Sequence, residues 1–225
     1  SSAGCAEARP VRATYLFAWP VLLWTFIALI VIGVTFSDEK RLRKLSATES
    51  HIASWYLING FFFNSMMDVF AGQFGSWTTM TQRYHELEPR YAMDGYVGVV
   101  VLLTSLQELC IQTPCGLFLF YAYWRGSSWR LGVEVIFNMW SIAGVWYFYV
   151  SEAILGFPNV HAPVTSDGRF DLSSALSFDT VYKFWIGFVI FPALWACVGA
   201  ALAIRACWQI SELCCRAEDS SKKQQ

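Results

Sequence analysis

Residues 96–123 read YVGVVVLLTSLQELCIQTPCGLFLFYAY, and Glu108 is the one formally charged side chain in the run. About 20 apolar residues in an α-helix cross the hydrocarbon core of a bilayer, so this stretch is long enough to span one. Pro114 is no objection, because membrane helices tolerate proline where neighbours re-satisfy the freed carbonyls. The acid is the informative residue. A carboxylate at the bilayer centre costs at least about 2.5–3.5 kcal/mol on insertion scales, and such residues face a protein interior rather than lipid. Thr104, Glu108 and Gln112 are spaced four apart and share one face, against Val, Leu and Ile elsewhere.

Four further stretches have the same apolar character: 13–36, 52–70, 131–155 and 181–208. The first is uncharged, too long for a signal-peptide core and without a small-residue cleavage site, so it reads as a span. The expectation is an all-α membrane protein with five transmembrane helices, one N-terminal helix preceding a four-helix bundle. The division that follows is 1–50 for the first helix and a basic loop, 51–208 for the four-helix domain, and 209–225 for a polar, disordered cytosolic tail. Composition agrees. The chain has 225 residues, 56% hydrophobic and 17% aromatic, and only 15% are charged, against about 25% in a soluble domain. That is too little polar surface for a water-facing globule, and a net charge of −1 gives no support for nucleic-acid binding.

The seven cysteines lack metal-ligand spacing. Cys110, Cys115, Cys197 and Cys207 read as small packing residues. Cys214 and Cys215, beyond the last apolar stretch, are open to palmitoylation. His51, His85 and His161 fall in loops and read as surface residues, so no metal site is expected. Glu134 and Glu152, near span ends, read as solvated.

Basic residues set the orientation. One side holds six, Arg9, Arg12, Arg83, Arg90, Arg169 and Lys183; the other holds the remaining ten, including Lys40, Arg41, Arg43 and Lys44. The second side is predicted to be cytosolic, with the N-terminus lumenal. Lys222 and Lys223 match the dilysine retrieval signal of endoplasmic-reticulum membrane proteins, which acts in the cytosol. The two cues agree on an endoplasmic-reticulum location.

Other spans carry stripes too. Gly60, Asn64 and Asp68 are spaced four apart, with Ser65 beside them. Asn138, Ser141, Val145, Phe148 and Glu152 fall on one stripe, and Trp185, Phe188, Pro192 and Trp195 on another. Turned inward, these predict an aromatic-lined cavity with acids and amides at fixed points. A carboxyl taken out of water keeps its proton, because burial disfavours the charged form, and can act as an acid. Aromatic faces stabilise a cation. Such a cavity suits protonation of an alkene, and equally the binding of an amine. Intramembrane Asn, Gln and Glu also join helices by hydrogen bonds, so each residue has a structural alternative.

Over 55–195 the sequence resembles the EXPERA family, whose members include sterol Δ8–Δ7 isomerases of the emopamil-binding type and the sigma-2 receptor. The isomerases' His-x-x-x-Glu is matched by Asn64-Ser-Met-Met-Asp68. Their Tyr-x-x-x-Asp-x-Arg-Tyr loop is matched by Tyr84-His-Glu-Leu-Glu88-Pro-Arg90-Tyr91. Glu108 precedes Pro114 by six, as in the sigma-2 receptor, and Pro192-Ala-Leu-Trp195 stands where the family has Asn-Ala-Leu-Trp. The family histidine is thus Asn64, which cannot shuttle a proton near neutral pH. The Asp68 and Glu108 pair is similar to the carboxylate pair of the sigma-2 receptor.

The resemblance implies a membrane isomerase of a sterol-like or terpenoid lipid. Glu108 would deliver the proton, Asp68 with Asn64 would receive one, and Trp185 and Trp195 would stabilise the carbocation. Gln112, Thr104, Asn138, Glu88, Arg90 and Tyr91 would shape the substrate site. No cofactor is required, since the reaction is proton in and proton out. A meroterpenoid cyclase on the same scaffold is the neighbouring alternative. A non-catalytic receptor for sterols or cationic amphiphilic amines is a second, and an accessory subunit of a larger membrane complex a third. Homodimerisation is left open.

Overall fold

The computed structural model describes residues 18–160, 162–165 and 167–222. The expected first turn of the first span at 13–17, the cations Arg9 and Arg12, His161, and Lys223 of the dilysine pair lie outside the described residues. Most of those described are helical, and the strand-like feature among them is an isolated antiparallel bridge between Val164 and Phe170. Six helices carry the fold: α1 (Ala18–Phe36), α2 (47–73), α3 (Thr78–Leu87), α4 (Gly95–Arg125), α5 (Arg130–Leu155) and α6 (Phe178–Lys222).

Among the described residues, α4, α5 and α6 are long and apolar enough to cross a membrane, and α1 contributes a shorter apolar helix, Val21–Phe36. Helix α2 has the length, with 11 and then 16 residues in two segments, but Asn59, Asn64 and Asp68 dilute its apolar run. Length and composition alone therefore support three membrane-length helices rather than five. Phe26 on α1, Leu103 on α4, Trp146 on α5 and Ile204 on α6 are exposed, an outer surface suited to lipid.

Two boundaries differ from the sequence reading. Helix α2 starts at Ala47, ahead of residue 52, so a division at 50/51 cuts a helix. The cause is a capping box: Ser46 Oγ accepts from the Glu49 backbone at 3.2 Å, and the Glu49 carboxylate accepts from the Ser46 backbone at 3.1 Å. Helix α6 runs without a break from the span through Trp208 to Lys222, so the expected disordered tail is helical as far as Lys222, with Cys214 and Cys215 exposed on it. Cys110, Cys197 and Cys207 are exposed as well, and are not the packing residues anticipated.

Helices α2, α4 and α6 each contain π-type turns, at Ile58–Gln73, Glu108–Gln112 and Val181–Ile190. The N–H groups of Phe74, Thr113 and Phe191 donate to Val69, Glu108 and Ile186, five residues back instead of four. Pro114 and Pro192 follow two of these segments. A proline in an α-helix lacks its own N–H and clashes with the carbonyl four residues earlier, and a widened turn relieves both. Helix α2 has no such proline.

Helices α2 and α4 cross at Gly60 and Gly116. A Cβ on Gly116 would lie 2.7 Å from the Tyr56 carbonyl and 2.9 Å from the Gly60 Cα, so the approach needs glycine. Thr113 Oγ1 donates to the Gly60 carbonyl at 2.9 Å. On one side of this crossing the bundle is solid, built on Ala53, Tyr56, Leu119, Phe120, Tyr123 and Phe137. On the other side it is hollow.

Candidate functional site

The hollow half holds a cavity of about 310 Å³. Helix α2 contributes Phe63, Asn64, Met67 and Asp68; α4 contributes Glu108 and Gln112; α5 contributes Ser141, Gly144, Val145 and Phe148; and α6 contributes Gly187, Phe191, Pro192 and Trp195. Helix α3 and the turn after it close one end with Tyr84, Leu87, Glu88, Arg90 and Tyr91. Gly187 admits this roof: a Cβ there would meet Leu87 Cδ1 at 2.7 Å. The widened turns of α2 and α4 carry the two acids in the cavity wall.

The polar groups are held in distinct ways. Asn64 Nδ2 donates to Gln112 Oε1 at 2.6 Å, and Gln112 Nε2 reaches Ser141 Oγ at 3.5 Å, a chain that ties α2, α4 and α5 together. Asp68 accepts a hydrogen bond from the Tyr84 hydroxyl. Burial pushes the Tyr84 phenol well above its ordinary pKa, and the Asp68 charge adds to the effect, so Tyr84 stays a donor. Trp195 is fixed by its indole N–H, which donates to Asn59 Oδ1 at 2.7 Å, and by edge contacts with Phe63 at 5.0 Å and Phe191 at 6.3 Å. Glu108 is the exception: its Oε2 is buried with no hydrogen-bond partner among the described residues.

At the roof, Arg90 is 1% exposed and grips Glu88 through two bonds of 2.6 Å, while its Nη1 donates to the Phe148 carbonyl at 3.0 Å. Its guanidinium lies 4.3 Å from the centre of the Phe148 ring. Glu152 Oε1 is 3.8 Å from Arg90 Nη1 and accepts from Asn159 Nδ2 at 3.0 Å. One arginine thus serves two carboxylates, and the roof is pinned to α5.

Eight of the eleven site residues anticipated from sequence meet at this cavity: Glu108, Asp68, Asn64, Gln112, Trp195, Glu88, Arg90 and Tyr91. Three do not. Thr104 turns its hydroxyl to the Val100 carbonyl at 3.0 Å, and its methyl faces Gly144. Asn138 lies in the solid half, where its Nδ2 donates to Tyr56 at 2.8 Å and to the Glu134 carbonyl at 2.7 Å. Trp185 spends its N–H on the Ala175 carbonyl at 3.0 Å, anchoring the preceding loop. Glu134 and Glu152, expected to be solvated, are both fully buried, each with charged and hydrogen-bonding partners. His85, read as a surface residue, is half-buried with Nε2 2.8 Å from the Gly72 carbonyl.

Sequence reasoning missed Tyr84 as a partner of Asp68, although Tyr84 opens the loop motif. It also left Gly144 and Gly187 out of the walls, because a glycine has no side chain for a stripe argument to detect.

No protein-family model matches the sequence, and no curated protein does.

Proposed function

We propose that the chain is a five-span membrane protein of the EXPERA type, whose cavity isomerises a sterol-like or terpenoid lipid by adding a proton at one carbon and removing one from its neighbour. The observation that carries this reading is the Glu108 carboxyl, with a buried, unpartnered oxygen, in an otherwise mostly apolar cavity that also holds Asp68. A volume of about 310 Å³ is at the lower end of the range of about 300–1,000 Å³ for small-molecule sites.

Glu108 delivers the proton to the ring alkene. Asp68, oriented by Tyr84, accepts the proton lost next to the cation. Trp195, locked by Asn59, presents its ring to the positive charge between those steps. Asn64 does not move protons; bonded to Gln112, it orients the wall. The balance is one proton gained and one lost, so the product is an isomer of the substrate. A terpenoid cyclase would use the same acid to begin ring closure. Residence in the endoplasmic-reticulum membrane, with the C-terminal helix cytosolic, belongs to the same proposal and rests on the basic residues and Lys222-Lys223.

The test is complementation of cells lacking sterol Δ8–Δ7 isomerase, with sterols read by mass spectrometry. Restored Δ7 sterols support the isomerase reading. Persistent Δ8 sterols, with the protein expressed in the right membrane, overturn it in favour of a cyclase or a receptor. Glu108 also favours the receptor reading in one respect, because an unpaired buried carboxylate is a natural partner for the ammonium of an amphiphilic amine.

A further inference from the structure

A second concavity lies away from the cavity and shares no residue with it. It is a groove of about 520 Å³ between α1 and α4, walled by apolar and aromatic side chains that include Trp24, Ile30 and Val34 on α1 and Pro114, Phe118 and Tyr121 on α4. Its two ends differ. At the Val34 and Tyr121 end, Arg125 crosses from α4 to α1, and its Nη2 donates to the Val34 carbonyl at 2.7 Å and reaches Ser37 Oγ at 3.5 Å. Arg125 Nε and the neighbouring Trp124 Nε1 are buried with no hydrogen-bond partner among the described residues. A buried donor without an acceptor costs free energy, and both of these sit at this end.

The loop after α1 adds charge at the same place. The Arg43 backbone N–H donates to the Trp124 carbonyl at 2.8 Å, which fastens residues 38–44 beside Arg125. Arg41 pairs with Asp38 at 3.1 Å and Arg43 with Glu49 at 2.7 Å. Lys40 and Lys44 are exposed and have no carboxylate partner among the described residues. A long apolar trough that ends in an arginine and two exposed lysines is complementary to an amphiphile with an anionic head.

We propose that this groove binds one anionic phospholipid, with an acyl chain along α1 and α4 and the phosphate between Arg125 and the lysines that follow α1. Basic side chains next to a membrane helix attract anionic headgroups with about 1 kcal/mol each. The phosphate oxygens would accept from the Arg125 guanidinium, and the chain would cover apolar surface that no described element covers.

The experiment uses the full chain purified in neutral detergent and phospholipids with brominated acyl chains, which quench nearby tryptophans. Phosphatidylserine and phosphatidylcholine with identical chains are compared. Phosphatidylserine is expected to quench at a concentration lower by about fivefold or more, and Trp24→Phe to remove part of that quenching. Lys40→Ala with Lys44→Ala, both on the exposed loop and remote from the core, is expected to weaken phosphatidylserine by about fivefold per lysine. Arg125→Gln should weaken it further. Equal quenching by the two lipids overturns the proposal, as does an unchanged double-lysine variant. Displacement by inorganic phosphate at the potency of the lipid overturns it too, because the site would then read an anion and not a chain.

Discussion

Glu134 and Glu108 are carboxyls buried in one bundle, on opposite sides of the Gly60–Gly116 crossing, and their surroundings are opposite. Glu134 is 0% exposed and fully answered: the Tyr123 hydroxyl donates to it at 3.0 Å, and Arg205 Nη1 lies 3.1 Å away and also donates to Tyr123 at 2.9 Å. Arg130 adds a guanidinium 4.4 Å from the Tyr123 ring. Glu108 keeps a buried oxygen with no partner. A buried polar group left unpaired costs about 1–3 kcal/mol, more when charged, and the bundle avoids that cost at Glu134 but accepts it at Glu108. The difference is that one carboxylate ties helices together and the other is left without a protein partner among the described residues.

The comparison is sharpest at the acids themselves. Glu108→Gln keeps the shape and removes the acid, so turnover should fall by about 10²–10⁴-fold, the contribution of a positioned general acid, and binding of amphiphilic amines should be lost. The unfolding midpoint in detergent should barely move. Full activity in this variant would remove Glu108 from the mechanism. Arg205→Ala makes the converse change. It strands Glu134 and should lower unfolding free energy by about 3 kcal/mol, the lower end for breaking a buried pair, because Arg205 is 27% exposed. The ratio of turnover to folded protein should stay the same.

Gly116→Ala tests the seam between the halves. The new methyl would press on the Tyr56 carbonyl and Gly60, and overpacking of this kind costs about 2 kcal/mol; a midpoint equal to that of the unaltered protein would show that the crossing can relax. Trp195→Ala should weaken cation-mimicking inhibitors more than neutral sterols, by about 0.5–2 kcal/mol. Equal weakening in a competition assay would mean that the ring supplies shape and not charge.

The smallest effect belongs to the α2 cap. Burial works against the ionised form of Glu49, but the Ser46 hydrogen bonds and the Arg43 charge outweigh it and hold the carboxyl below its ordinary value of 4.5. The unfolded chain therefore binds this proton more readily than the native one does. The contribution of Glu49 is complete above the ordinary value and disappears as pH falls through the lower native one. Ser46→Ala should cost about 1 kcal/mol at neutral pH, and the gap to the unaltered protein should narrow in acid, as read by denaturant unfolding across pH.

Much of this was legible in the chain itself. A lone acid in a mostly apolar run of 28 residues signalled an interior face, and i, i+4 spacing brought Asn64, Asp68, Glu108 and Gln112 to one cavity. The same rule failed for Thr104, whose hydroxyl is taken by the Val100 carbonyl of its own helix, and for Trp185, where the reason is geometric. Spacing by four tracks a face of an ordinary α-helix, whereas Val181–Ile190 is wound more loosely. Across that widened segment the stripe changes direction, so Gly187 and Phe191 face the cavity while Trp185 faces the loop. Asn138 was misplaced for another reason: an amide on an inward stripe serves a helix contact as readily as a pocket, and sequence does not say at which depth the bundle becomes hollow. The capping box Ser46-Ala-Thr-Glu49 was a readable start signal for α2, eclipsed by the apolar run that begins after it.

The unpartnered oxygen of Glu108 has a thermodynamic consequence. A molecule that answers it binds the folded chain and not the unfolded one, and so stabilises the fold by mass action, by about 2.7 kcal/mol at a concentration a hundredfold above its dissociation constant. The melting curve of the purified protein is thereby an inventory of whatever lipid accompanies it. A shift on adding one candidate amphiphile, absent in Glu108→Gln, would rank ligands before any product is known.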